Sequence, residues 1–284
     1  MIISIASGKG GTGKTTVATN LAVSVDGPVQ LLDCDVEEPN AHLFIRPSIQ
    51  ETITVTTPVP EIDLEKCNHC KKCAEICRFR AIAVLGDTVL TFPELCHSCG
   101  GCMAVCPEGA ITEKGRELGI LEAGNMNGVS FVHGRLRVGE AMSPPLIRAV
   151  RDRTWADGLT LIDAPPGTSC PVIAAMKDTD FVLLVTEPTP FGLHDLKLAA
   201  EAVKILDIPM GLVINRADVG DNNVRDYAHA EAIPILMEIP FDRQIAESYS
   251  RGEMFAQALP EWKTRFRRLL EDIKTLVGKG AGAK

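Results

Sequence analysis

The sequence predicts an α/β fold, a mostly parallel sheet covered by helices, with a small cysteine-rich module inserted into it. Three observations predict it. Short runs of branched apolar residues alternate with helical stretches over most of the 284 residues. A glycine-rich loop bearing lysines and threonines joins the first run to the first helix. Eight of the ten cysteines fall between Cys67 and Cys106, in a pattern that occurs twice.

The candidate strands are Ile2–Ala6, Gln30–Asp33, Leu159–Asp163, Phe181–Val185, Met210–Asn215 and Ile235–Ile239. Each carries few charges, as parallel strands buried on both faces do. Helical stretches lie near Lys14–Val25, Gly192–Leu206, Asn222–Glu231, Gln244–Ser250 and Glu261–Val277. That order implies a parallel sheet with helices on both faces. The cysteine segment interrupts it. Pro58 and Pro60 lead in and the Lys114-Gly115 step leads out, which sets an insert at about Glu61 to Glu113. Residues 1–60 and 114–284 are then expected to fold together as one domain, with 61–113 as a second. The chain is long enough for both.

Apolar residues make up 45% and charged residues 23%, the composition of a globular protein. A formal charge of −8 lacks the basic excess that marks nucleic-acid binding. The first apolar run, Ile2–Ala6, is too short for a signal-peptide core, and no run approaches the ~20 residues of a membrane span. A cytoplasmic protein is expected. Thiols stay reduced in that compartment, so the cysteines read as metal ligands, not disulfides.

Gly8-Lys9-Gly10-Gly11-Thr12-Gly13-Lys14-Thr15-Thr16 stands between a strand and a helix, the setting of a P-loop. Glycines let successive backbone N–H groups turn inward around phosphate oxygens, and the helix adds its positive end. Lys14 is expected to reach the β- and γ-phosphates of ATP, and the Thr15 hydroxyl to ligate Mg²⁺.

Cys67, Cys70, Cys73 and Cys77 recur 29 residues later as Cys96, Cys99, Cys102 and Cys106, and Ala81-Ile82 recurs at the same offset as Ala110-Ile111. C-x2-C-x2-C-x3-C, the second copy followed by Pro107, is the bacterial ferredoxin run for [4Fe–4S] clusters, whose fourth cysteine serves the other cluster. One cluster is therefore assigned to Cys67, Cys70, Cys73 and Cys106, the other to Cys77, Cys96, Cys99 and Cys102. The insert should be a small α+β module like a bacterial ferredoxin. Zinc sites use paired hooks with longer separations, which two intertwined runs do not match. His69 and His97 read as loop residues, and Arg78 stands where the first run lacks its proline.

With its second lysine, Lys9, the loop resembles the deviant Walker A motif of the MinD superfamily, which includes the nitrogenase iron protein and Mrp-type proteins. The resemblance implies a P-loop ATPase in which Lys9 reaches a partner's nucleotide across an ATP-dependent homodimer. Leu31-Leu32-Asp33-Cys34-Asp35 looks like its switch I. Asp35 would orient the attacking water, and Asp33 would sit near Mg²⁺. Leu161 to Thr168 looks like Walker B and switch II, so Asp163 would hold Mg²⁺ through water and the Gly167 N–H would sense the γ-phosphate. Asn215 would read the adenine edge. Cys34 reads as a small buried hydrophobe. Cys170 lies where the nitrogenase iron protein places a cluster ligand, but that protein's second cysteine has no match here.

The resulting expectation is an ATPase whose nucleotide state gates dimerisation and electron transfer through two clusters to a redox protein partner. An Mrp-type cluster carrier is the second reading, although no cysteine follows Cys170 to make that group's C-x-x-C pair. A MinD-like spatial regulator is the third. The apolar stripe Trp262, Phe266, Leu269, Leu270, Ile273, Leu276 and Val277, flanked by basic residues, would then lie on a membrane. Docking of that helix on the core is the expectation preferred here.

Overall fold

Every apolar run named above forms a strand in the computed structural model, which describes residues 1–281; the last three residues of the chain lie outside it. In chain order the elements are β1 (Ile2–Ala6), α1 (Lys14–Ser24), β2 (Val29–Asp33), α2 (His42–Ile45), β3 (Ser48–Ile62), α3 (Lys72–Ile76), β4 (Ile82–Leu85), β5 (Thr88–Thr91), α4 (Gly101–Ala104), β6 (Ile111–Met126), β7 (Val129–Leu136) and α5 (Pro144–Arg151). Then follow β8 (Leu159–Asp163), α6 (Cys170–Met176), β9 (Phe181–Thr186), α7 (Pro190–Ile205), β10 (Met210–Asn215), α8 (Asn223–Ala230), β11 (Ile235–Ile239), α9 (Arg243–Ser250), α10 (Phe255–Ala258) and α11 (Pro260–Ala281).

Nine strands form one sheet in the order β11-β10-β9-β1-β8-β2-β7-β6-β3, parallel from β11 to β7 and antiparallel beyond. The parallel strands are buried on both faces. Ile3, Ile5, Leu31, Leu161 and Leu183 pack under α1, α10 and α11, while Leu32, Ile162, Val182 and Leu212 pack under α5 to α8. Alternate residues thus enter opposite cores, so these strands need apolar side chains throughout. Trp262, Phe266, Leu269, Leu270 and Ile273 of α11 lie in the first core, with Trp262 edge-on to Phe255. Burial of that stripe, on the order of 1.5–3 kcal/mol per large side chain, fixes the helix on the sheet. The membrane-lying alternative loses its motive.

The antiparallel part was not anticipated. β6 and β7 join through Asn127-Gly128, both at positive φ (46° and 87°), as a two-residue hairpin turn of right-handed twist requires. β3 pairs with β6 from Ser48↔Asn125 to Ile62↔Ile111 as the edge of the sheet. Pro58 and Pro60, read from sequence as leading into the insert, lie inside β3, and Lys114-Gly115, read as leading out, lies inside β6. An edge strand tolerates proline because one of its sides needs no N–H donor. The strands run unbroken through the expected insert boundaries, and the cysteine lobe stands at their far end, with α3, α4 and the β4–β5 hairpin.

The duplication seen in the cysteines is also a duplication of backbone. His69, Lys71 and Arg80 adopt positive φ, and so do Ser98, Gly100 and Gly109, each 29 positions on. α3 and α4 begin at the same offset.

Candidate functional site

Lys14 opens α1 immediately after Gly13, whose φ of 94° turns the loop into the helix. Its ammonium is buried and donates to Asp163 Oδ1 at 2.6 Å, with Asp35 Oδ2 at 3.8 Å. The ends of β1, β2 and β8 bring these residues together: Asp33 and Asp163 are register partners on adjacent strands, and Asp35 follows two residues later. Asp33 is fully buried and accepts from the Asp35 and Ala41 N–H groups. Asp163 Oδ2 is buried with no partner, and so is the Thr12 hydroxyl.

Three carboxylates thus face one ammonium. Burial and the neighbouring Asp163 push Asp33 well above the usual carboxylate range, so it holds a proton against its neighbours. Burial raises Asp35 to about 6, opposed by Lys14. For Lys14, burial favours the neutral amine, but Asp163 and Asp35 outweigh it and hold the pKa above its ordinary value. A divalent cation here would meet oxygen donors in excess of positive charge, which suits Mg²⁺. Thr15, half-buried on the first turn of α1, lies next to this cluster in sequence.

The other expected nucleotide contacts are engaged within the protein. Asn215 donates to the Thr12 carbonyl at 2.9 Å and accepts from the Arg216 N–H. Its amide group therefore pins the P-loop to the end of β10. A Cβ on Gly13 would stand 2.4 Å from Asn215 Nδ2, so glycine is required there by packing as well as by φ. The Gly167 N–H donates to the Ser7 carbonyl. Gly8 has a role the motif does not give it: a Cβ would lie 2.1 Å from the Asp195 carbonyl, so this glycine seats α7 against the loop. Gly10, Gly11 and Thr16 complete the turn, with Gly10 and Gly11 exposed and Thr16 half-buried. Lys9 points to Glu187 Oε2 at 3.9 Å, and Glu187, nearly buried, also accepts from Arg216 at 3.1 Å. Glu187 went unnoticed in the sequence, where a lone acid after a strand carries no signal.

The cysteine lobe holds two separate cavities. One is lined by Cys77, Cys96, Cys99 and Cys102, together with Phe79, which stacks on His97. The other is lined by Cys67, Cys70, Cys73 and Cys106, together with His69. Each takes three cysteines from one repeat and the last from the other. Backbone N–H groups already point at the sulfurs: Ala81 to Cys77 and Ala110 to Cys106, both at 3.3 Å, and Ser98 to Cys96 at 3.4 Å. Among the described residues no three acidic, histidine or cysteine side chains converge to hold a single ion. The cysteines surround spaces instead of meeting at a point. Cys34 is buried, and burial raises its thiol far above the ordinary value, whereas Cys170 is exposed at the start of α6.

Residues 3–255 match the CobQ/CobB/MinD/ParA nucleotide binding domain family. An uncharacterized protein of Methanocaldococcus jannaschii is 31% identical over 98% of this chain and 98% of its own. An iron-sulfur cluster carrier protein of Aquifex aeolicus is 25% identical over 92% of this chain and 63% of its own. Among solved structures, the septum site-determining protein MinD of Pyrococcus horikoshii, complexed with Mg-ADP, superimposes with a TM-score of 0.59, covering 98% of this chain and 97% of that one at 22% identity. The fold is thus that of MinD, with a mostly parallel central sheet.

Proposed function

The chain belongs to the CobQ/CobB/MinD/ParA nucleotide-binding family, and from that premise we propose that it is an ATP-hydrolysing iron–sulfur protein whose nucleotide state governs dimerisation and the docking of a two-cluster lobe against a redox protein. The observation that carries this reading is the pair of four-cysteine cavities, each built from both repeats. Two [4Fe–4S] clusters would supply one-electron carriers there, held by Cys67, Cys70, Cys73 and Cys106 and by Cys77, Cys96, Cys99 and Cys102.

At the nucleotide end, Lys14 would turn from Asp163 to the phosphates, leaving the Asp163 carboxylate and the Thr15 hydroxyl to hold Mg²⁺, which would supply positive charge against the phosphates. Asp33 would support these groups once its proton leaves. Asp35, with a pKa near 6, is mostly ionised at neutral pH and holds the attacking water. Lys9 leaves Glu187 for the γ-phosphate bound by a second copy. The Gly167 N–H exchanges the Ser7 carbonyl for the same phosphate, and Asn215 exchanges Thr12 for adenine.

The test is anaerobic purification with iron, acid-labile sulfide and nucleotide measured on one sample. About eight irons and eight sulfides per chain are expected, with Mg-ATP hydrolysis. Stoichiometric zinc, with no iron incorporated on reconstitution, removes the reading. A second reading, a cluster carrier, is favoured by the Aquifex aeolicus relative. ATP-dependent transfer of iron and sulfide to an apo-protein acceptor, with loss from this chain, would establish it instead.

A further inference from the structure

Arg116 of the long strand β6 and Glu140 of the loop after β7 form a buried charge pair that neither the phosphate site nor the cysteine pattern accounts for. Arg116 of β6 stands directly opposite Thr57 of β3. Directly opposed residues of an antiparallel pair project from the same face of the sheet. Thr57 Oγ1 lies 2.8 Å from Ser98 Oγ, in the turn between Cys96 and Cys99. Ser98 gives its own hydroxyl hydrogen to the Pro58 carbonyl at 2.6 Å, so Thr57 is the donor in that contact. The Cys96–Cys99 turn is therefore fastened to β3 at the residue beside Arg116.

The Arg116 side chain is 10% exposed and is bonded through Nη1 to Glu140, itself 1% exposed. Its other two nitrogens, Nε and Nη2, are buried without a partner. Unpartnered donors on a buried cation are costly unless a further negative group lies near. Glu140 foremost, then Glu94 and Cys96, raise the guanidinium pKa against burial. Cys96 is thus among the groups that act on the guanidinium, and Ser98, two residues further on, is tied to the residue opposite Arg116.

We propose that Arg116 is the positive charge that sets the reduction potential of the cluster held by Cys77, Cys96, Cys99 and Cys102, with Glu140 as its counter-charge. This rests on the two-cluster reading above. Reduction adds one electron, and one negative charge, to the cluster. A cation near the cluster stabilises the reduced form more than the oxidised form and raises the potential. Glu140, of opposite sign, acts the other way. Loss of the two charges must therefore act with opposite signs.

The experiment is a dithionite redox titration of the full-length, anaerobically purified protein, followed by electron paramagnetic resonance, with iron and sulfide counted on each sample. In R116Q the midpoint of one cluster should fall while the other stays in place. R116K retains the charge and should titrate close to wild type. E140Q should raise the midpoint of the cluster that R116Q lowers. The proposal is overturned if R116Q keeps eight irons with both midpoints unmoved, if both midpoints move together, or if E140Q shifts its cluster downward. Should R116Q fail to fold, the sign of the E140Q shift decides alone. A wild-type chain that takes up no iron overturns the two-cluster reading and this proposal with it.

Discussion

Replacing Lys14 with methionine should destabilise the protein in a way that depends on pH with a calculable sign. Among the described residues, Lys14 Nζ is the one hydrogen-bond donor to the Asp163 side chain, whose Oδ2 already lacks a partner and which is wholly buried. Removing one member of a buried pair costs about 3–5 kcal/mol. The same substitution takes from Asp33 and Asp35 a positive charge that holds both carboxyls down, and leaves the burial and the neighbouring Asp163 that push them up. Both should therefore keep their protons to higher pH in the native variant than in native wild type. A native state that binds more protons than the unfolded chain loses stability as pH rises, so the deficit of the variant relative to wild type should grow with pH. Urea unfolding followed by the fluorescence of Trp262, buried beside Phe255, reports it. The double variant Lys14→Met with Asp163→Asn should lose part of the pH dependence, because the Asp163 charge no longer pushes Asp33 and Asp35 up. A single variant within about 1 kcal/mol of wild type at about pH 8, or a deficit that does not vary with pH, would falsify the charge argument.

Lys14→Met should also abolish ATP binding while iron content stays at the wild-type level. Asp35→Ala should bind ATP yet hydrolyse it at least tenfold more slowly. Burial raises the Asp35 pKa to about 6, so if its ionised form holds the water as proposed, the single-turnover rate in wild type should climb through about pH 6 and level off above it. A flat profile across that range assigns the water to another group. Lys9→Ala should bind nucleotide as a monomer and fail to dimerise with a non-hydrolysable ATP analogue. Sedimentation that shows wild type and variant associating alike would exclude a cross-subunit role for Lys9.

The parallel half of the fold was legible because both faces of those strands are buried, which leaves an unbroken apolar run in the sequence. β3 left no such trace. Its residues Ser48 to Thr54 are exposed, it is rich in threonine, and its prolines look like punctuation unless the strand is known to be an edge. Asn127-Gly128 was a readable hairpin signal that the longer helix-and-strand alternation obscured. The site divides in the same way. The P-loop and the cysteine runs are local patterns, in which spacing along the chain determines geometry. The bonds of Asn215 to Thr12 and of Gly167 to Ser7 join residues more than 150 positions apart, and no local pattern announces them. Glu187 and the Arg116–Glu140 pair are likewise products of tertiary packing.

The unanticipated strands also change how the two ends of the molecule are connected. A module joined by flexible linkers would absorb any displacement at the phosphate site. Here β2, which carries Asp33, is hydrogen-bonded to β7, β7 to β6, and β6 runs on to Ile111 at the base of the cysteine lobe. The segment after β2 is tied to the same ladder. Val36, next to Asp35, accepts from the Leu136 N–H at 2.8 Å. It also covers Gly134 so closely that a Cβ there would stand 2.8 Å from its Cγ1. His133, in register with Asp33, is bonded through Nε2 to Glu122 of β6 at 3.0 Å. Beyond Leu136 the chain reaches Glu140, the counter-charge of Arg116. A close-packed sheet shifts as a body because its ladder hydrogen bonds and interlocked side chains leave no slack to take up motion. Any displacement of Asp35 and Val36 would therefore have a short, stiff route to the Arg116–Glu140 pair, and through Thr57 and Ser98 to the turn that carries Cys96 and Cys99.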